Sequence, residues 1–203
     1  IEASMTGVYM ESRAKLAGHP VHPMLIVFPL GLLGAAVVFD IIYLISSAAQ
    51  WTLAAYYMIG AGLIGGLAAA LFGWLDWLGI PSGTRARRIG LWHGLGNVAV
   101  LALFILSWVL RRENPVEPPT GAIVAGLSGV VLALVTAWLG AELVYRLGVG
   151  VDGGAHLGPV GHPDHDGPAG QGAEVDADGV LLALVSVHTL LRTAIGKKGD
   201  KGI

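Results

Sequence analysis

A chain of 203 residues with 54% hydrophobic and only 13% charged side chains, and a mean hydropathy of +0.69, is too apolar for a soluble domain. Its formal net charge of −2 leaves no basic field for nucleic acid, and no nucleic-acid-binding motif is present. Cysteine is absent, which excludes disulfides, thiolate metal sites, cysteine-ligated iron–sulfur clusters and covalently attached c-type haem, and leaves histidine, carboxylate and methionine as possible ligands.

In chain order, residues 1–17 read as a tag remnant before Met5 followed by an interfacial segment. Tyr9, Met10, Arg13, Lys15 and Leu16 are spaced there like one or two turns of a surface helix. Residues 18–150 read as an all-α, antiparallel four-helix transmembrane bundle. It opens on Gly18-His19-Pro20-Val21-His22-Pro23, where each proline biases the histidine before it away from helical backbone, so an extended lead-in is expected to stop just before the first helix. That helix covers residues 24–45, with a kink at Pro29, and Asp40 inside it is expected to hydrogen-bond a neighbouring helix. The second helix covers residues 51–77 and carries the close-packing pair Gly62 and Gly66. A basic, turn-rich connection through Arg85, Arg87 and Arg88 leads to the third helix at 91–110, where His93 and Asn97 share a face one turn apart. Pro115, Pro118 and Pro119 mark a non-helical loop before the fourth helix at 121–145. Residues 151–179 form a flexible His/Gly-rich linker with His156, His162 and His165. Residues 180–203 hold a short apolar helix containing His188, too short for a regular span, and a basic tail.

Basic residues near helix ends divide unequally: Arg13, Lys15, Arg85, Arg87, Arg88 and Arg146 on one side, Arg111 and Arg112 on the other. The positive-inside rule then places both ends of the four-helix domain in the cytoplasm. The same topology gathers His19, His22, Asp76, His93, Glu142 and Arg146 near one face. Ionisable groups at membrane depth are costly, so this one-sided grouping marks a site. Each member also has a plainer reading. Trp74, Trp77, Trp92 and Trp138 suit interface anchors, Asp76 and Glu142 suit ion pairs with Arg85, Arg87, Arg88 or Arg146, and His93 suits a bond to Asn97 or a carbonyl.

Gly18-His19-Pro20-Val21-His22-Pro23-Met24 with Phe28-Pro29-Leu30-Gly31, then Gly73-Trp74-Leu75-Asp76-Trp77 through Arg88, Trp92-His93, and Gly140-Ala141-Glu142-Leu143-Val144-Tyr145-Arg146 carry a resemblance in the same order over about residues 16–152. They closely resemble the bacterial domain-of-unknown-function family 2231. The resemblance implies a four-helix membrane domain, joined in some members to Rieske-type iron–sulfur domains or found beside cytochromes, and hence a respiratory electron-transfer context. This chain has Leu147 where relatives place a histidine after Tyr-Arg, so no ligand is expected there.

Three functions compete. The leading expectation is non-covalent haem b, its iron held by a histidine of the His19/His22 segment and by His93, with Arg85, Arg87 or Arg88 on the propionates and a respiratory electron-transfer partner. The alternative is divalent-metal binding or transport, with His19, His22, His93, Asp76 and Glu142 around zinc or iron. The third is a non-catalytic accessory or assembly subunit. The glycine faces of the second and fourth helices suit a homodimer within the lipid bilayer. No serine stands in a nucleophile turn and no His-Glu-x-x-His helix is present, so the chain does not read as an enzyme.

Overall fold

The computed structural model describes residues 10–152. The tag remnant, most of the 151–179 linker, the 180–203 helix and tail, and His156, His162, His165 and His188 lie outside the described residues.

Four helical spans, Val21–Ser46, Ala49–Gly79, Arg85–Leu110 and Thr120–Arg146, are each long and apolar enough to cross a membrane. The first is two helices nearly in line, α1 (Val21–Leu25) and α2 (Val27–Ser46), interrupted at Ile26. Pro29 accounts for the break. It has no N–H to give the Leu25 carbonyl and its ring crowds that carbonyl, so the expected kink falls one turn ahead of the proline. α3 (Ala49–Gly79) extends about 46 Å at 1.5 Å per residue, more than a bilayer core of about 30 Å requires. α4 (Arg85–Leu110) is capped by Thr84, whose hydroxyl accepts from the Arg87 N–H at 3.2 Å. α5 (Thr120–Ala141) passes into one wide π-helical turn, Glu142–Arg146.

Two sequence expectations change here. His22 lies inside α1 rather than ahead of the helix. Pro23 occupies the first turn, where a missing N–H costs nothing, so the bias that Pro23 places on His22 is overridden. Arg85, Arg87 and Arg88 likewise sit in the first turn of α4, because the Thr84 cap starts that helix earlier than its apolar run indicates.

Residues 10–17 are not a surface helix either. Lys15–Leu16 (β1) pairs antiparallel with His19–Pro20 (β2), turning through Ala17 at φ 49° and Gly18 at φ 80°, the second a conformation glycine adopts without strain. Met10 bridges to Val149, tying this strap to the residues just after the fourth span.

α2 packs along α3 and α4 along α5, making two hairpins that join through α3 against α4 and α2 against α5. Leu33, Ala36, Val37, Ala55, Ile59, Leu63, Val100 and Phe104 form the shared core. Glycines set the approach within each hairpin: a Cβ on Gly62 would meet Leu33 at 2.7 Å, and one on Gly129 would meet Phe104 at 2.8 Å. Gly62, Gly66, Gly126 and Gly129 of these faces are covered by the chain's own helices. Large apolar side chains such as Ile45, Ile64, Leu71 and Leu134 point outward instead, as a lipid-facing surface requires.

At the end away from the histidines, Arg111 donates from both terminal nitrogens to the two oxygens of Asp40, at 2.7 and 2.6 Å, and neither side chain meets solvent. Arg111 Nε also donates to Ser107 Oγ at 3.3 Å. Asp40 therefore bonds a neighbouring helix as its sequence position indicates, and Arg111 is a core residue rather than a loop charge.

Candidate functional site

His22 and His93 are held in the same way. Nδ1 of His22 lies 2.8 Å from the carbonyl oxygen of Ala69 on α3, and Nδ1 of His93 lies 2.8 Å from that of Thr136 on α5. A carbonyl oxygen only accepts, so each Nδ1 is assigned the proton by its partner, and each neutral ring carries its lone pair on Nε2. Each ring also rests on a glycine one turn beyond its carbonyl. A Cβ on Gly73 would stand 2.8 Å from Cε1 of His22, and one on Gly140 would stand 3.0 Å from Cε1 of His93.

The two differ at Nε2. Asn97 Nδ2 donates to the His93 carbonyl at 2.9 Å, which fixes the amide's orientation because a carbonyl only accepts, and to Nε2 of His93 at 3.2 Å, with Asn97 Oδ1 3.1 Å from Thr136 Oγ1. His93 thus satisfies its plainer reading twice over, with a carbonyl and with Asn97. Nε2 of His22 has no hydrogen-bond partner and is not sealed from the surface.

Above this pair is a charged rim. Asp76 accepts from Ser12 Oγ at 2.7 Å, Arg13 N at 2.9 Å and Ala14 N at 3.4 Å, so its partner is the N-terminal strap and not an arginine side chain. Those backbone donors also explain why residues 12–14 are extended: their N–H groups serve the carboxylate instead of a helix. Glu142, buried at the start of the π turn, accepts from Arg85 at 2.7 Å and pairs with Arg146 at 3.3 Å, as expected. Arg87 lies with its guanidinium 4.3 Å from the Trp77 ring centroid and donates to the Ile80 carbonyl at 2.6 Å. Arg88 is exposed. Trp74, Trp92 and Trp138 face outward, whereas Trp77 is half-buried and donates to the Arg87 carbonyl. Lys15 on the strap is held above its ordinary pKa, chiefly by its hydrogen bond to Glu11.

The fold therefore ties His22 and His93 each to the second helix of its own hairpin, near the same end of the bundle, and leaves the other named ligands exposed or engaged by other partners. His19 is exposed on β2, Asp76 is engaged by the strap, and Glu142 by two arginines. Among the described residues no three His, Asp or Glu side chains converge as a metal-ion site. The Ala69 and Thr136 carbonyls, Gly73, Gly140 and Ser12 complete the arrangement. No side-chain signal marks a carbonyl, but the two glycines standing at corresponding points of the second and fourth helices were visible in the sequence.

The family model described as "Predicted membrane protein (DUF2231)" matches residues 18–153. That is more than half of the chain, and the chain belongs to that family. No curated protein and no solved structure matches it.

Proposed function

We propose that this member of the family holds haem b between His22 and His93 and serves as an electron carrier within the membrane. The observation that carries the reading is the pair of imidazoles with Nδ1 fixed on a backbone carbonyl and Nε2 left as the basic nitrogen. Ligating histidines are oriented in this way, by a hydrogen bond from the other ring nitrogen. Two nitrogen donors are too few for a bare divalent cation that needs four or more ligands, and suit an iron whose other four ligands come from a porphyrin. When bound, the haem supplies one-electron chemistry. The protein's own residues do the rest. Ala69 and Thr136 hold the rings and raise their basicity, Asn97 would have to give up its bond to Nε2 of His93, and Arg88, exposed while Arg85 and Arg87 are engaged elsewhere, is the arginine left to meet a propionate.

On this reading the domain lies in a bacterial inner membrane with its histidine end cytoplasmic. Support comes from the basic residues at that end, against Arg112 alone once Arg111 is counted as core. A respiratory electron-transfer partner would dock there. The divalent-metal reading with zinc or iron has less support, because His19 is exposed, Asp76 is engaged by the strap and Glu142 by two arginines.

Haem and metal content of the detergent-purified protein test the proposal. About one haem per chain is expected. One equivalent of zinc or iron without haem would replace it with the metal reading, and neither would leave an accessory subunit.

A further inference from the structure

The two hairpins correspond residue by residue. His22 and His93, Leu33 and Phe104, Ala36 and Ser107, and Asp40 and Arg111 are all separated by the same 71 residues. On the second helix of each hairpin, Ala55 and Ala122, Gly62 and Gly129, Ala69 and Thr136, and Gly73 and Gly140 share a second common interval. The contacts repeat with the positions. Leu33 lies on Gly62 as Phe104 lies on Gly129, and His22 bonds Ala69 and rests on Gly73 as His93 bonds Thr136 and rests on Gly140. The residues ahead of each histidine also match in role: Ser12 to Ala14 engage Asp76, and Arg85 engages Glu142, each carboxylate lying within a turn of its hairpin's glycine.

We propose that the membrane domain is two copies of one helical hairpin related by a pseudo-two-fold axis, and that Asp40–Arg111 is the charge pair on that axis which selects one hairpin for the other and sets His22 opposite His93. Equivalent residues that touch each other must straddle the axis relating them, and Asp40 and Arg111 do so with both oxygens and both terminal nitrogens engaged. Both first helices start at the histidine end and run toward this pair, so the axis lies along the membrane normal, the arrangement of parallel repeats in membrane proteins. Had the copies stayed identical, two like charges would meet in the core. With one acid and one base, hairpin-to-like pairing is disfavoured and hairpin-to-partner pairing is locked. Ser107, bonded to Arg111, occupies the position that corresponds to Ala36, so the hydroxyl accompanies the base.

Charge exchange tests this. The chain has no cysteine, so spin labels on Gly31→Cys and Gly94→Cys, both exposed positions with open space at the Cβ, report the spacing of the hairpins by electron paramagnetic resonance. Asp40→Asn and Arg111→Met should each lower Tm by about 6–20 °C and broaden the label distance. Asp40→Arg with Arg111→Asp should restore the wild-type distance and at least half of the lost Tm, and adding Ala36→Ser with Ser107→Ala should restore more. An exchanged protein no better than the single variants would overturn the proposal. If the charge variants do not fold, Leu33→Phe with Phe104→Leu serves instead. Equivalent sockets require the exchange to be more stable than either single change, and an exchange worse than both overturns the axis. None of these readouts depends on haem, so a colourless protein would leave this inference standing.

Discussion

Gly73→Ala and Gly94→Ala separate the histidine cradle from ordinary helix propensity. Each places a methyl group in a membrane helix, and alanine is favoured over glycine there by about 1 kcal/mol. At Gly94 a Cβ meets nothing within 4 Å, so the full gain should appear as a Tm rise of about 2–4 °C. At Gly73 the Cβ falls 2.8 Å from Cε1 and 3.0 Å from Nδ1 of His22. Restoring ordinary contact near 3.4 Å moves the ring by about 0.6 Å, which stretches a 2.8 Å bond to the Ala69 carbonyl to the edge of hydrogen-bonding range. Overpacking of this kind costs about 1–3 kcal/mol, so Gly73→Ala should be about 1–3 kcal/mol less stable than Gly94→Ala once the shared propensity gain is removed. Thermal unfolding in one detergent, followed by circular dichroism, measures the difference. Equal Tm values for the two variants would refute the claim that Gly73 is there to seat His22.

Other changes read other parts of the structure. Gly140→Ala should perturb His93 through its 3.0 Å contact as Gly73→Ala perturbs His22, shifting the ring's NMR signals, whereas Gly31→Ala, with open space at its Cβ, should shift neither histidine. Asp76→Ala should release the strap, because Ser12 Oγ and two backbone N–H groups lose their acceptor, and limited proteolysis within residues 10–20 should accelerate several-fold, while Asp76→Asn retains part of the protection. Glu142→Gln should cost about 1–3 kcal/mol, since the buried carboxylate holds Arg85 and Arg146, and the loss should show in Tm.

The spans were legible because about twenty apolar residues in a row have few other uses, and the polar end was legible because histidines and carboxylates stand out against them. Boundaries failed where a single contact outweighs a local rule. Thr84 starts α4 ahead of its apolar run, and Asp76 draws residues 12–14 into extended backbone from sixty-odd positions away. Asp40 was visible as an intramembrane acid, but its partner was hidden because Arg111 also reads as a loop cation at a helix end. The repeat was hidden for a related reason. Leu33 and Phe104 do the same packing with different side chains, and Asp40 and Arg111 correspond by being opposite in charge. The shared letters are the histidines, a few small residues and several valines and leucines such as Leu30 and Leu101, and common apolar residues in a membrane helix do not expose a repeat.

The reduced-minus-oxidised absorbance spectrum of the purified protein, recorded beside its His22→Ala and His93→Ala variants, bears most directly on the central reading. The account predicts a Soret band with sharp reduced α and β bands in the unaltered protein, and loss of that low-spin pattern in both variants. A wild-type protein without those bands, or either variant that keeps them, would contradict ligation by this pair.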